Sequence, residues 1–254
     1  MSAETWKDID CVDQGVSGGP SMVLLHGLFG DPANWTPMVE EFSKDYNVLA
    51  PCIPFLGGQG HGGRASLDYI FQGFCSFVAE RGLKNMVLMG SSLGGHLVLR
   101  YALAYPKNVR AMVLTGSSGL YERTPTTRFP KRRDKKFIQE FARHIFYEER
   151  LFLEDIMAKA FEVWGTPIKG LYLVSLLRGI QKDNLGLRLP EIKSPTLLAW
   201  GLNDTITPPS VAHEFQKKMP RAQIKFFDKC CHAPMMEHPL KFNQAVRAYL
   251  SDLD

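Results

Sequence analysis

The chain holds 254 residues, 45% of them apolar, with 30 Lys and Arg against 26 Asp and Glu and a formal charge of +4. That composition supports one large buried core, and α/β chains of this length commonly form a single domain. No apolar run approaches the ~18 residues of a membrane span, and the cysteines at 11, 52, 75, 230 and 231 form neither a disulfide framework nor a spaced metal-ligand pattern, so integral membrane association, a metal and a disulfide scaffold are not expected.

Residues 1–14 mix Glu4, Lys7, Asp8, Asp10 and Asp13 with few apolar side chains. With no secretory h-region and no Arg-rich transit pattern, the expected location is cytoplasmic, and the thiols are read as reduced. Gly15-Val16-Ser17-Gly18-Gly19 matches a Gly-x-Ser-x-Gly pattern, but no apolar strand precedes it and Pro20 follows, so Ser17 is read as a loop residue. Short apolar runs at 22–25, 47–50, 86–89, 111–114, 196–200 and 223–227 read as strands that alternate with helical patterns. The alternation predicts an α/β fold, a mostly parallel, doubly wound sheet with helices on both faces.

Between 120 and 190 the alternation breaks. Residues 135–184 are rich in helix formers and carry Phe137, Phe141, Ile145, Phe146, Phe152, Ile156, Phe161 and Trp164 at helical spacings. A helical cap over 120–190, inserted between core segments 1–119 and 191–254, is therefore expected. The basic run at 128–136 is offset by Glu140, Glu148, Glu149, Glu154 and Asp155. It reads as a solvated face rather than a nucleic-acid or membrane-surface patch.

The chemistry concentrates where the 86–89 run meets Gly90-Ser91-Ser92-Leu93-Gly94 and then a helical pattern, 93–105, stopped by Pro106. A strand that turns so sharply into a helix holds its central serine, Ser92, in strained geometry above the sheet. A serine hydroxyl becomes a nucleophile only when a histidine takes its proton and an acid orients that histidine. Both partners have candidates. The 196–200 run closes with Gly201 and leads to Asp204, ahead of a helix start at Pro208 and Pro209; the 223–227 run leads through Cys230 and Cys231 to His232. Parallel strands bring all these loops to one edge of the sheet. Asp228 is a rival acid, and the adjacent cysteines read as small apolar filler beside the histidine.

In this order, Ser92, Asp204, His232, the chain resembles the α/β-hydrolase superfamily, in its serine-nucleophile, esterase-like branch. The resemblance covers about 20–119 and 190–251. It also rests on Met22-Val23-Leu24-Leu25-His26-Gly27-Leu28-Phe29-Gly30, similar to the family's strand and His-Gly loop, and on His232-Ala233-Pro234-Met235-Met236-Glu237-His238-Pro239. It implies a serine esterase needing no cofactor and no metal. Ser92 would attack a small-molecule ester or acyl substrate, His232 would relay the proton, and Asp204 would fix the imidazole tautomer. The backbone N–H groups of Leu28 and Leu93 would bind the oxyanion. His26 is read as organising its loop, His61 as structural, and His96, His144 and His213 as surface or core residues on helical patterns. The family's Asp-x-x-Gly-His-Gly loop is lengthened here over 52–63 and lacks its acid, Ser91 precedes the nucleophile, and Cys231 stands where Gly is common. Hydrolysis of a C–C bond in a vinylogous diketone, with an arginine such as Arg178 holding a substrate carboxylate, is the alternative reaction. A ligand receptor on a hydrolase scaffold is the alternative class, and the oligomeric state stays open.

Overall fold

The computed structural model describes residues 6, 9–55, 66–122, 140, 143–148 and 154–253, with backbone alone at 154–157 and 164. His61, the basic run at 128–136, Phe137, Phe141 and Phe152 lie outside the described residues, as do the side chains of Ile156 and Trp164.

Seven strands form one sheet: β1 (Cys11–Gly15), β2 (Ser21–Leu25), β3 (Asn47–Pro51), β4 (Met86–Ser91), β5 (Val109–Thr115), β6 (Thr196–Gly201) and β7 (Ala222–Phe227), in the order β1-β3-β2-β4-β5-β6-β7. Each of the last six is parallel to its neighbours in that run, and β1 pairs antiparallel with β3. The six apolar runs of the sequence are thus strands, within one or two residues at each end. The edge strand β1 was not anticipated, because Cys-Val-Asp-Gln-Gly carries no apolar run and most of it is exposed. An edge strand needs only one neighbour and one covered face.

Helices follow the strands in the expected alternation: α1 (Thr36–Phe42), α2 (Leu67–Glu80), α3 (Leu93–Ala104), α4 (Glu154–Gly165), α5 (Pro167–Lys182), α6 (Pro209–Lys218), α7 (Pro234–Glu237) and α8 (Pro239–Ser251). Successive strand side chains point to opposite faces. Val23, Leu25, Leu88, Leu114 and Trp200 accordingly pack under α2, α3 and α6, whereas Met22, Leu24, Met89, Val113 and Ala199 pack against α1 and α8. Both faces of the central strands are buried, which is why they read as unbroken apolar runs rather than as alternating ones. No helix among the described residues is long and apolar enough to cross a membrane.

The strand order places the topological switch between β2 and β4, since the chain steps from β2 to β3 on one side and from β4 through β5, β6 and β7 on the other. Ligands of open α/β sheets bind in the crevice at such a point, outside the carboxyl ends of the strands. Register brings those ends level: Leu25 pairs with Gly90, and Ser91 with Thr115. The loops that begin at His26, Ser92 and Gly116 therefore emerge side by side.

Candidate active site

The turn from β4 into α3 is tight enough to force its composition. Ser92 sits at φ 51°, ψ −115°, a left-handed conformation that costs a non-glycine residue on the order of 1–3 kcal/mol. Its backbone is pinned on both sides. The Ser92 N–H donates to the Thr115 carbonyl at 3.0 Å, and its carbonyl accepts from Ser118 N–H at 3.2 Å and His96 N–H at 3.1 Å. A Cβ at Gly94 would lie 2.1 Å from the Leu25 carbonyl oxygen, and one at Gly90 would lie 2.5 Å from the Gly94 backbone. Glycine at these two positions lets α3 start directly against β2. Ser17 lies in a turn after β1 with no helix following.

Asp204 leaves β6 in a turn that consumes its whole acceptor capacity. One carboxylate oxygen accepts the Ile206 and Thr207 N–H groups, each at 2.9 Å. The other accepts the Thr207 hydroxyl at 2.9 Å and His232 Nδ1–H at 2.8 Å. The turn is held to β6 by the Trp200 indole, which donates to the Thr207 carbonyl at 2.7 Å, and to the histidine loop by Asn203 N–H donating to Cys230 O at 2.8 Å. The rival acid, Asp228, is exposed, and its carbonyl accepts from His238 at 3.0 Å. His238 thus fastens the turn before the histidine loop.

His232 is buried, with 7% of its surface left exposed. Burial opposes charging its ring, but the Asp204 carboxylate beside it, with smaller contributions from Glu122 and Glu237, raises its pKa above the ordinary 6.5. Its ring lies on Gly116, where an added Cβ would come within 2.6 Å of Nδ1. The loop at 115–118 thus carries the Ser92 backbone and supports the His232 ring. The structure joins Asp204 and His232 directly and brings Ser92 to the same loop. With Nδ1–H committed to Asp204, Nε2 carries the free lone pair, the arrangement that allows an imidazole to accept a proton.

The His26 loop is built as the sequence suggests. Ile53 N–H donates to His26 Nε2 at 2.8 Å, so Nδ1 bears the proton and donates to the Gly27 carbonyl at 2.8 Å. Burial drives the His26 pKa down to about 4, and the ring stays neutral as a clamp between the loop and the end of β3. Leu28 lies in the turn that follows; among the described residues its N–H has no partner. Leu93 is the first residue of α3, so its N–H is one of the donors a helix start leaves unpaired. Phe29, at φ 60°, is buried with Ala160 and Val163 of α4 and Leu173 of α5. Asp31 ion-pairs with Lys159 of α4. The helices between β5 and β6 therefore rest on the loop that presents Leu28.

Several contacts were not legible beforehand. His96, fully buried, bonds Asp183 at the end of α5 at 3.0 Å, and His144 bonds Thr205 at 2.7 Å; the sequence offered neither partner. Glu237 accepts the Cys231 N–H and the Tyr147 N–H, each at 2.6 Å, and His232 N–H donates to the Ile145 carbonyl at 3.0 Å. Cys230 and Cys231 are buried, and burial pushes the Cys231 thiol up to about 12, so neither is a ready nucleophile. Arg178 is exposed on α5, whose buried positions are Leu173, Leu176 and Ile180. Among the described residues no group of three His, Cys, Asp or Glu side chains could hold a metal ion.

A doubly wound parallel sheet with a Gly-x-Ser-x-Gly turn at its switch point, and an Asp–His pair on the neighbouring loops, defines a class of hydrolase scaffold. The chain belongs to the α/β hydrolase fold family, whose profile matches residues 20–239. It is 28% identical to the pimeloyl-[acyl-carrier protein] methyl ester esterase of Nitrosomonas europaea, over 88% of this chain and 93% of that one. It is 26% identical to the 2-hydroxy-6-oxononadienedioate/2-hydroxy-6-oxononatrienedioate hydrolase of Burkholderia vietnamiensis, over 92% and 88%. An alpha/beta hydrolase enzyme from the sediment metagenome of the Mar Chica lagoon, Morocco, superposes with a TM-score of 0.77 at 30% identity, covering 96% of this chain and 95% of that one.

Proposed function

We propose that this protein is a serine hydrolase of carboxylic esters. His232 takes the Ser92 proton as the hydroxyl attacks the ester carbonyl and gives it to the departing alcohol; water, activated by the same ring, then releases the acid from the acyl-enzyme. Asp204 holds the Nδ1–H tautomer and stabilises the imidazolium. The N–H groups of Leu28 and Leu93 receive the oxyanion, where loss of one donor typically costs ~3 kcal/mol of transition-state stabilisation. Residues 120–190 act as the cap over this site, and no cofactor takes part.

The observation that carries the reading is the 2.8 Å bond from His232 Nδ1–H to Asp204, on a ring seated against the loop that also holds the strained Ser92 backbone. A C–C hydrolase reading is favoured by the dienedioate hydrolases among the relatives. It is disfavoured by the exposure of Arg178, the residue proposed to hold a carboxylate. The experiment is hydrolysis of p-nitrophenyl esters from acetate to palmitate by wild type and Ser92→Ala. Turnover that disappears in the variant supports ester hydrolysis. Inactivity of wild type towards the whole series would sink it and leave C–C cleavage or ligand reception.

A further inference from the structure

Thr207 carries a hydroxyl that the proposed mechanism does not use. It lies between β6 and α6, ahead of Pro208 and Pro209, and is wholly buried. All of its polar groups are committed. Its carbonyl accepts the Trp200 indole N–H at 2.7 Å, its N–H donates to one oxygen of Asp204 at 2.9 Å, and its hydroxyl donates to the other at 2.9 Å. One residue thus grips both carboxylate oxygens from a backbone anchored to β6, which fixes the rotation of the carboxylate plane. A valine would fill the same space without burying a hydroxyl, whose lost hydration is offset only by its bond to Asp204.

The hydroxyl and His232 meet at a single oxygen. His232 Nδ1–H donates to Asp204 Oδ2 at 2.8 Å, the hydroxyl donates to the same Oδ2 at 2.9 Å, and Thr207 Oγ1 stands 3.4 Å from Nδ1. Two donors on one oxygen share its lone-pair density, so each is held less tightly than it would be alone. The ionisable groups bearing on the ring are Asp204 in this turn, Glu122 after β5 and Glu237 at the end of α7, and all three favour its charged form. A ring held as imidazolium at neutral pH cannot take a proton from Ser92. A second donor on Asp204 opposes that outcome.

We infer that Thr207 is a positioning residue: its hydroxyl shares Asp204 Oδ2 with the His232 ring and so sets how the acid is oriented and how strongly it holds the Nδ1 proton. The consequence for turnover rests on the serine esterase reading, whereas the effect on the Asp204–His232 pair does not.

The test compares wild type with Thr207→Val, Thr207→Ala and Thr207→Ser, each checked by a melting curve. Two quantities are read. The first is the His232 pKa from its ring-proton NMR shift, assigned by difference from His232→Gln. The second is the acid limb of kcat/KM for p-nitrophenyl butyrate, with Ser92→Ala as the control for serine-dependent turnover. Thr207→Val and Thr207→Ala both remove the hydroxyl, and each is expected to raise the His232 pKa and the acid limb together by about half a unit, or threefold in proton affinity. Thr207→Ser keeps the hydroxyl and is expected to keep the wild-type values. A merely structural threonine would lower the melting temperature on substitution without moving the ring's titration. A His232 pKa that stays in place or falls in the folded Val and Ala variants, or rises equally in Thr207→Ser, overturns the inference. In that case Ser92-dependent hydrolysis by wild type leaves the esterase reading standing. If the pKa moves as expected while the ester shows no Ser92-dependent turnover, the esterase reading falls and the role of Thr207 in the pair stands.

Discussion

Replacing Asp204 by Asn tests the proposed machinery at one atom. The carboxylate accepts four hydrogen bonds, two at each oxygen, and an amide keeps only one of those oxygens. If the amide oxygen faces Ile206 and Thr207 N–H, both 2.9 Å bonds survive. The amide nitrogen then faces the Thr207 hydroxyl and His232 Nδ1, which must both become acceptors. The opposite orientation spares the histidine tautomer but sets an NH2 group against two buried N–H donors, each costing ~1–3 kcal/mol. The first orientation wins. His232 then carries its proton on Nε2 and cannot take one from Ser92. A triad histidine held in the wrong tautomer loses ~10⁴-fold in kcat, or ~5 kcal/mol of barrier. Because bonds are exchanged rather than deleted, stability should fall by only ~1–2 kcal/mol. The assay is kcat on p-nitrophenyl butyrate alongside a thermal melt of each protein. A folded Asp204→Asn enzyme that keeps more than about a tenth of wild-type kcat would refute the assignment, since a tautomer defect cannot be that mild.

Three further outcomes follow from the same geometry. His232 must be neutral to act as base, and the carboxylates around it outweigh burial and raise its pKa, so the acid limb of kcat/KM between pH 5 and 9 should lie above 6.5; a limb below that value contradicts the reading. His26 is the reverse case: its folded pKa, near 4, lies below the ordinary 6.5, so its contribution to stability is full above 6.5 and is lost as pH falls towards 4. The gap corresponds to ~3 kcal/mol, and the melting difference between wild type and His26→Gln should narrow over that window, whereas a constant difference would show that His26 does not titrate with unfolding. Gly94→Ala drives a Cβ to 2.1 Å from Leu25 O and 2.6 Å from Leu25 C, rigid strand backbone that cannot yield as a side chain would. A loss of about 3 kcal/mol is expected in denaturant titration, while Gly165→Ala, with nothing within 4 Å of its new Cβ, should stay within ~0.5 kcal/mol.

Legibility in the sequence followed the range of the interaction responsible. The central strands announce themselves because burial on both faces demands unbroken apolar runs, and the turn at Ser92 does so because two glycines and a following helix satisfy a local steric requirement. The edge strand β1 has neither signal. Its pairing is specified by β3, from Gly15 opposite Asn47 to Cys11 opposite Pro51, contacts that no local window contains. The geometry that favours Asp204 over Asp228 is of the same kind. Both follow strands and both precede turns, but only in space does Asp204 meet His232 while Asp228 remains exposed. Glu237, the last residue of α7, was not read as a partner of the Cys231 N–H, because a glutamate at a helix end is ordinary until the fold decides what surrounds it.

The same distinction bears on how one scaffold serves relatives with different reactions. The loops leaving β2, β4, β5, β6 and β7 are tied to one another by short local bonds: Ser92 to the Thr115 and Ser118 backbone, the Asp204 turn to the Cys230 backbone, and the Leu28 turn to Ile53 through the His26 ring. The segment between β5 and β6 touches them through backbone at Ile145 and Leu185 and through side chains elsewhere, with Lys159 on Asp31, Asp183 on His96, and Leu173 and Val163 over Phe29. Side chains change by single substitutions without disturbing the sheet, whereas the backbone constellation tolerates little change. Identity of 26–28% to both an ester hydrolase and a dienedioate hydrolase is what a shared backbone frame with exchangeable side chains around it allows.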